Sequence, residues 1–217
     1  MTENTAPDAA KAGATSPGAA KPDASTPDDE AVALAHRLFQ AAREGDTGLL
    51  RTYLDAGAPA TMTNAAGDSL LMLAAYHGHA ETVQLILEHG GEANMANDRG
   101  QTPLAGAAFK GYTDVSRVLL DAGAPATMTN AAGDSLLMLA AYHGHAETVQ
   151  LILEHGGEAN TANDRGQTPL AGAAFKGYAD VSRVLLDAGA DPDAGSPSAR
   201  AAAQMFARTD ILDLLGN

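Results

Sequence analysis

Residues 98–130 read DRGQTPLAGAAFKGYTDVSRVLLDAGAPATMTN and carry the signals of two short helices. Thr102 followed by Pro103 predicts a helix start, because proline lacks an N–H that the first helical turn would leave unused. Small and apolar residues then recur at the i, i+3, i+4 spacing of one buried stripe: Leu104, Ala107 and Ala108. Alanine side chains in this stripe let a neighbouring helix approach closely.

Gly111 ends the first helix, and the residues after it predict a second one. Thr113 and Asp114 suit a helix N-terminus, where a carboxylate faces the positive end of the helix dipole. The second apolar stripe consists of Val115, Val118 and Leu119. Gly123 can take the left-handed conformation that closes a helix. The stretch therefore predicts a helix–turn–helix unit, followed by turn residues 124–133.

The chain repeats itself with a fixed period. The stretch from Leu54 to Ala124 occurs again from Leu120 to Ala190, and the two copies differ at only two positions. Met95 becomes Thr161, and Thr113 becomes Ala179. The offset between the copies is two 33-residue units. A unit of this size cannot bury its apolar face alone, so we expect an elongated solenoid of stacked units.

The pattern divides the chain into a tail, two caps and four repeats. Residues 1–30 contain no Val, Ile, Leu, Phe or Tyr and are rich in Ala, Pro and Thr, so we expect a disordered tail. The remaining segments are an N-terminal capping repeat at 31–64, repeats at 65–97, 98–130, 131–163 and 164–196, and a C-terminal cap at 197–217. Capped ends keep an apolar repeat face out of water.

The run Asp-Arg-Gly-Gln-Thr-Pro-Leu, at 98–104 and again at 164–170, resembles the ankyrin repeat, whose signature is a Gly-x-Thr-Pro-Leu-His turn. The alternate repeats keep the rest of that pattern, LAAYHGHAE at 73–81 and LILEHGGEAN at 85–94. Ala105 and Ala171 stand where the family pattern has His. The resemblance covers every unit. It implies an all-α ankyrin-repeat solenoid of helix–turn–helix units with turn or hairpin loops, which binds a protein partner without catalysis.

The resemblance also implies where a partner would bind, since the turn tips and the outer ends of the first helices form the concave face of ankyrin arrays. Carried onto this chain, the predicted helix positions are Tyr76, His77, Phe109, Lys110, Tyr142, His143, Phe175 and Lys176. The predicted tip positions are Asp98, Arg99, Gln101, Asp164, Arg165 and Gln167. Aromatic residues and arginine dominate interface hot spots. The alternative is that each aromatic ring packs against the helix of its neighbour.

The charge and composition exclude some classes of partner. The formal net charge is −14, of which residues 1–30 contribute −4, and no basic stripe exists, so we do not expect nucleic acid or an anionic membrane as a partner. A basic protein partner would be steered toward the array. The chain has no Cys, no signal peptide and no apolar run near the roughly 18 residues of a membrane span. We therefore expect a cytoplasmic protein, and the excess of Arg over Lys favours a bacterial source.

Two chemical alternatives are weak. The pair His77 and His79, repeated at His143 and His145, could share a metal ion, but no third ligand accompanies either pair, so we predict no metal and no cofactor. An enzyme needs a nucleophile, a base and an orienting group in one pocket. The candidate serines occur at repeat-periodic positions, so each would have to be catalytic twice: Ser69, Ser116, Ser135 and Ser182. We predict no enzymatic activity.

The near-identity of the two copies indicates a recent or an engineered duplication of two repeats. Removing one copy of the repeat pair would leave a shorter chain with both caps and two repeats. One alternative function is therefore structural, with a longer and more stable array as the main consequence. We expect a monomer, and exchange of identical repeats between chains offers a swapped dimer as the alternative.

Overall fold

A computed structural model describes residues 27–216, with side chains described from residue 29 onward. Twelve α-helices occupy this part of the chain, and the extended pairings within it are isolated bridges such as Thr63 with Ser69. The predicted all-α class is confirmed. The predicted disordered tail lies outside the described residues apart from residues 27–30, which belong to the first helix.

The helices form two layers. The inner layer contains α1 (Pro27–Glu44), α3 (Leu70–Tyr76), α5 (Pro103–Lys110), α7 (Leu136–Tyr142), α9 (Pro169–Lys176) and α11 (Ala199–Met205). The outer layer contains α2 (Thr47–Asp55), α4 (Ala80–Glu88), α6 (Thr113–Asp121), α8 (Ala146–Glu154), α10 (Ala179–Asp187) and α12 (Thr209–Leu215). Each inner helix packs on the next inner helix, and each outer helix packs on the next outer helix. The units therefore stack as the 33-residue period predicts.

A hydroxyl residue caps the inner helices that follow a tip. Thr102 accepts a hydrogen bond from the Ala105 N–H, and Pro103 is the first helical residue, as the sequence predicts. The alternate repeats lack Thr-Pro, and there Ser69 accepts from the Met72 N–H. Ser135, Thr168 and Ser198 do the same for α7, α9 and α11. Two different sequences thus satisfy the same orphan N–H groups.

Small residues set the spacing of the inner layer. Alanines of the inner helices are fully buried, among them Ala74, Ala75, Ala107 and Ala108. Leucines on both layers fill the space between them, and Leu50, Leu104 and Leu119 are also inaccessible to water. Because an alanine projects only one methyl group, consecutive inner helices pack closely at these positions.

From α4 onward, the residue before each outer helix covers a glycine of the preceding unit. His79 lies over Gly45, Tyr112 over Gly78, His145 over Gly111, Tyr178 over Gly144 and Arg208 over Gly177. The histidines also bind backbone oxygens, since His79 Nε2 is 2.8 Å from the Arg43 carbonyl and His145 Nε2 is 3.1 Å from the Phe109 carbonyl. The second histidine of each His-Gly-His run therefore satisfies a backbone group and joins two repeats.

One of the two differences between the copies follows from these contacts. The Thr113 hydroxyl is 2.9 Å from the Thr148 hydroxyl of the next repeat, as Thr47 is from Thr82. Thr148 is the third residue after His145, which precedes α8. In α12 the third residue after the preceding Arg208 is Ile211. The buried side chain of Ile211 has no polar atom. Ala179, which replaces the hydroxyl residue Thr113 in the second copy, therefore deprives no hydroxyl of α12 of a partner at this position. The change from Met95 to Thr161 has no structural explanation.

His89 joins the first two outer helices. Its Nδ1 is 2.9 Å from the Leu85 carbonyl oxygen and its Nε2 is 2.9 Å from Asp55 Oδ1. Both partners are acceptors, so the protonated imidazole can donate from both ring nitrogens, whereas the neutral ring can donate from only one. The Leu85 hydrogen bond raises the pKa of His89 above its ordinary value of 6.5, and the Asp55 carboxylate raises it further.

This contact predicts a pH-dependent stability. A raised pKa in the folded state stabilises the fold fully below 6.5 and loses that effect as the pH rises through the folded pKa. We expect the wild type to exceed His89→Gln in free energy of unfolding by more at about pH 5.5 than at about pH 8.5. Urea titrations at both pH values measure this difference. Asp55→Asn should show the same trend, and a difference that is constant with pH would exclude the charged contact.

Candidate functional site

The predicted aromatic positions form a row along the inner face, which we define as the exposed surface of the inner helices together with the turn tips. Tyr76, Phe109, Tyr142 and Phe175 end or nearly end α3, α5, α7 and α9. Tyr76 is 41% exposed, Phe109 37% and Phe175 39%, whereas Tyr142 is half-buried. Because their spacing in the chain equals the length of one repeat, these rings lie side by side. We call them the aromatic row.

The rings also contact their neighbours. The Tyr142 and Phe175 rings stack with their centroids 6.3 Å apart, and the Phe109 ring lies 4.3 Å from the His143 ring. Phe175 meets Phe206 of the C-terminal cap edge-on at 4.7 Å. Packing and exposure therefore coexist, because each ring rests on a neighbour and still presents a large part of its surface to water.

Phe206 extends the aromatic row into the cap, and the sequence analysis missed it. It is 44% exposed, and the preceding Met205 is 70% exposed. Phe206 lies 31 residues after Phe175, and counted from the capping hydroxyl residue of its helix it is one position later than Phe175, so the 33-residue spacing does not reach it. The sequence signal for Phe206 is its position directly after the last inner helix. Tyr76 and Phe109 likewise lie at the ends of their inner helices.

Two lysines of the inner face lie over tyrosine rings. Lys110 Nζ is 4.8 Å from the centroid of the Tyr76 ring, and Lys176 Nζ is 4.4 Å from that of Tyr142. Each contact joins one repeat to the preceding one through a cation–π interaction. Both lysines are exposed. The predicted helix positions are thus brought together in mixed aromatic and cationic pairs.

The tips are organised by asparagines that the sequence analysis did not single out. Asn97 Oδ1 accepts from the Arg99 and Gln101 N–H groups, and its amide donates to Asp68 Oδ1 at 2.8 Å. Asn163 and Asp134 repeat this link at 2.7 Å. The sequence signal for this role is an asparagine that recurs every 33 residues from the last position of the N-terminal capping repeat. These residues are Asn64, Asn97, Asn130 and Asn163.

The predicted tip residues have different roles within this arrangement. Asp98, Arg99, Asp164 and Arg165 are exposed. Gln101 and Gln167 accept side-chain hydrogen bonds from the buried Asn97 and Asn163, at 3.2 and 3.4 Å, so part of their hydrogen-bonding capacity is used within the turn. Arg165 is 3.9 Å from Asp134, a long contact in which the arginine side chain is 70% exposed, so it contributes little stability.

The tips are linked at three boundaries and open at one. The Asp98 N–H donates to the Ala66 carbonyl, Asp164 to Ala132, and Ser196 to Gly166. Within the described residues, no hydrogen bond joins tip 98–101 to tip 129–132, where the first copy meets the second. The boundary between the copies is therefore the one that lacks a backbone hydrogen bond between adjacent described tips.

Two adjoining grooves lie between the tips and the inner helices. The junction groove, of about 440 Å³, opens at the unlinked boundary and is lined by Tyr76, Arg99, Phe109, Met128, Ala131 and Leu139, among others. The second groove, of about 350 Å³, is lined by Phe109, Tyr142, His143, Arg165 and Phe175, among others. They share Phe109, Asp134 and Leu139. Nine of the fourteen predicted binding residues line these two grooves, and the other five do not: His77, Asp98, Lys110, Asp164 and Lys176.

Comparison with known families gives the same result as the stacking of the helices. The family profile described as "Ankyrin repeats (3 copies)" matches residues 38–130 and 122–196, which together span most of the chain. The chain belongs to the ankyrin repeat family. A curated protein of Pseudomonas aeruginosa, named as an ankyrin repeat protein, is 49% identical over 53 residues. That alignment covers 24% of this chain and 31% of the relative, so the match spans less than a third of the relative's length.

The first histidines of the His-Gly-His runs lie on the inner face of this ankyrin array. Burial lowers the pKa of His143, and the nearby His145, Lys176 and Lys110 lower it further. Burial also lowers the pKa of His77, and the nearby His79, Arg43 and Lys110 lower it further. The described part of the chain contains no group of three or more His, Cys, Asp or Glu side chains placed to hold a metal ion. Cationic neighbours also oppose the binding of a metal cation at either histidine.

The serines considered for catalysis have structural positions in the ankyrin repeats. Ser69 and Ser135 cap inner helices, as described above. Ser116 and Ser182 are completely buried in α6 and α10, where Ser182 donates to the Tyr178 carbonyl. None of these serines reaches the two grooves. Among the described helices, none is long and apolar enough to cross a membrane.

Proposed function

We propose that this protein is a non-catalytic interaction module of the cytoplasm, which binds a protein partner through the inner face, the concave face of an ankyrin array. The observation that carries this proposal is the aromatic row, whose rings remain more than a third exposed at three of four positions beside two grooves. Rigid aromatic side chains supply large contact areas with little loss of conformational entropy. Ankyrin repeats generally mediate protein interactions, and this supports the same function.

The duplication bears on how the surface is used. We attribute the two near-identical copies to a recent or engineered event, which doubled the number of Tyr–Lys pairs and extended the row without altering either cap. A partner that contacts both copies would bind more tightly than one that contacts a single copy. If the short chain bound equally well, the duplication would be structural in its effect.

Affinity capture from the source cell tests the proposal. We expect the full chain to retain a partner that is lost when Tyr76, Phe109, Tyr142 and Phe175 are all changed to Ala, because the row supplies the buried contacts. Loss of about 2 kcal/mol per hot-spot ring would abolish retention. The matched control changes four exposed outer-helix residues with the same 33-residue spacing to Ala: Gln84, Arg117, Gln150 and Arg183.

Both variants must keep the helical circular dichroism spectrum of the wild type. Equal retention by the row variant and the wild type would contradict the proposal. Loss by the outer-helix control with retention by the row variant would instead assign binding to the outer layer. A third chain lacking residues 58–123 shows whether the second copy contributes to retention.

A further inference from the structure

The two layers of the array differ in charge. The inner helices α3, α5, α7 and α9 contain no acidic residue and carry two lysines, Lys110 and Lys176. The outer helices α4, α6, α8 and α10 carry eight acidic residues and two arginines, Arg117 and Arg183. Eight of the 16 acidic residues of the four repeats thus lie on these outer helices, and four more lie on the tips: Asp68, Asp98, Asp134 and Asp164. A partner of the inner helices meets a charge of the opposite sign from the net charge of the chain.

Three of the four cations at the grooves have no carboxylate partner in the described part of the chain, and the fourth, Arg165, is 3.9 Å from Asp134. Lys110 and Lys176 form no ion pair there, and each ammonium is held over a tyrosine ring instead. Arg99, which lines the junction groove, also has none. A carboxylate from a partner can therefore approach these groups without displacing an existing salt bridge, and the tyrosine ring already limits the freedom of the ammonium.

The acidic groups of the same region are partly engaged. Asp134 lines both grooves, but its side chain is only 15% exposed and accepts a 2.7 Å hydrogen bond from Asn163. Asp98 and Asp164 are exposed on the tips, and each is followed by an arginine. The junction groove is lined by the apolar Leu136, Leu139 and Phe109, and its exposed charged lining residue is Arg99. Lys110 lies over the ring of Tyr76, another lining residue, so two cations stand at or next to an apolar groove.

The open boundary adds backbone groups to this site. Ala131 and Arg99 are both exposed. The Ala131 N–H and the Arg99 carbonyl have no hydrogen-bond partner among the described residues. One repeat earlier the equivalent groups are paired, since the Asp98 N–H donates a hydrogen bond to the Ala66 carbonyl. An extended peptide laid along the groove can use such unpaired groups as it would use a sheet edge.

We propose that the junction groove binds an extended peptide segment of a partner protein in which acidic and apolar side chains alternate. The acidic side chains pair with Lys110 and Arg99, and the apolar ones enter the groove between Tyr76 and Phe109. The identical Lys176–Tyr142 pair beside the second groove accepts the continuation of the segment. This inference rests on the proposed function and names the chemistry of the partner. The net charge of the chain alone favours a basic partner, whereas the proposed groove takes an acidic segment.

The test uses two fluorescent peptides and the full chain. In one peptide Glu and Leu alternate, and in the other Lys and Leu alternate. Fluorescence anisotropy should show at least about tenfold tighter binding of the Glu–Leu peptide, and added salt should weaken it. Lys110→Glu with Lys176→Glu should weaken Glu–Leu binding by about tenfold or more. The control is Arg117→Glu with Arg183→Glu, which changes net charge equally on outer helices of the same repeats, and it should stay within about twofold.

Three results would overturn the inference: tighter binding of the Lys–Leu peptide, no binding of either peptide, or equal losses in the inner and outer charge variants. The proposed function is judged separately by the aromatic-row variant in the capture experiment. If that variant loses a cellular partner while the Lys110→Glu and Lys176→Glu chain retains it, the inner face binds a protein and only the acidic chemistry is wrong.

Discussion

Deleting residues 58–123 is expected to leave a folded protein whose free energy of unfolding is lower by about 3–10 kcal/mol, the contribution of two repeats at typical stability per residue. The deletion joins Gly57 to Ala124, and the sequence around the new junction still reads LDAGAPATMTN. Two repeats are lost together with the interfaces between them. No other change considered for this chain removes as much packed surface.

The structure explains why the shortened chain should fold. The helix α7 has the same sequence as α3, so it can pack on α1 without a new contact type. The polar links are also reproduced: Thr148 can replace Thr82 beside Thr47, and His145 can replace His79 on the Arg43 carbonyl. Every interface of the short chain is therefore already present in the full one.

Urea unfolding followed by circular dichroism measures the difference. Both the midpoint and the dependence of the free energy on urea should fall, since less surface is exposed on unfolding. Chromatographic size should show whether either chain dimerises by exchanging repeats. A midpoint equal to or above that of the full chain would show that the added repeats contribute no stability of their own.

Gly111→Ala should destabilise the fold by about 2–5 kcal/mol, the second largest effect we expect, because a backbone cost and a steric cost add. Gly111 has a φ of +73°, and a left-handed alanine costs about 1–2 kcal/mol. A Cβ at this position would also overlap the His145 ring, which lies over the glycine while binding the Phe109 carbonyl. Overpacking of this kind adds about 1–3 kcal/mol.

Gly123→Ala is the matched control. Gly123 has a φ of +88° and no neighbouring atom within 4 Å of the added Cβ, so the substitution carries the backbone cost without the contact. Thermal and urea unfolding of both variants should therefore separate the two contributions. Combining Gly111→Ala with His145→Ala should bring the cost of the glycine change close to that at Gly123. Equal effects of the two glycine variants in the wild-type background would mean that the histidine moves aside freely.

Much of the candidate site was predictable because the period is exact. Equal spacing of Tyr76, Phe109, Tyr142 and Phe175 places them on equivalent turns of successive helices, whatever the rotation between repeats. The row ends differently from the prediction, because Phe206 of the cap joins the row at a different spacing. The contacts of the lysines with Tyr76 and Tyr142 could not be read from the pattern, since they depend on side-chain conformation across two repeats.

Identical sequences also acquire different neighbours. Asn160 donates to the Gly189 carbonyl and accepts from the Asp191 N–H. In the first copy the residue equivalent to Asp191 is Pro125, which has no N–H from which the equivalent Asn94 could accept a hydrogen bond. The equivalent glycines Gly100 and Gly166 also differ in the neighbours of their carbonyl groups. In the linked case the Gly166 carbonyl receives the Ser196 N–H of the cap, while Asn130, the equivalent of Ser196, directs its N–H to the Asp134 carbonyl in its own turn.

Local sequence was therefore sufficient for the helix starts, the 33-residue unit and the equal spacing of the aromatic residues, while their exposure was left open. These features depend on capping residues and on apolar spacing within a single unit, which are short-range properties of the chain. The location of the open groove, the engagement of Asp134 by Asn163 and the cover of Gly111 by His145 required the folded array. Each of these contacts joins residues of neighbouring repeats, and its geometry is set by how one repeat rotates onto the next.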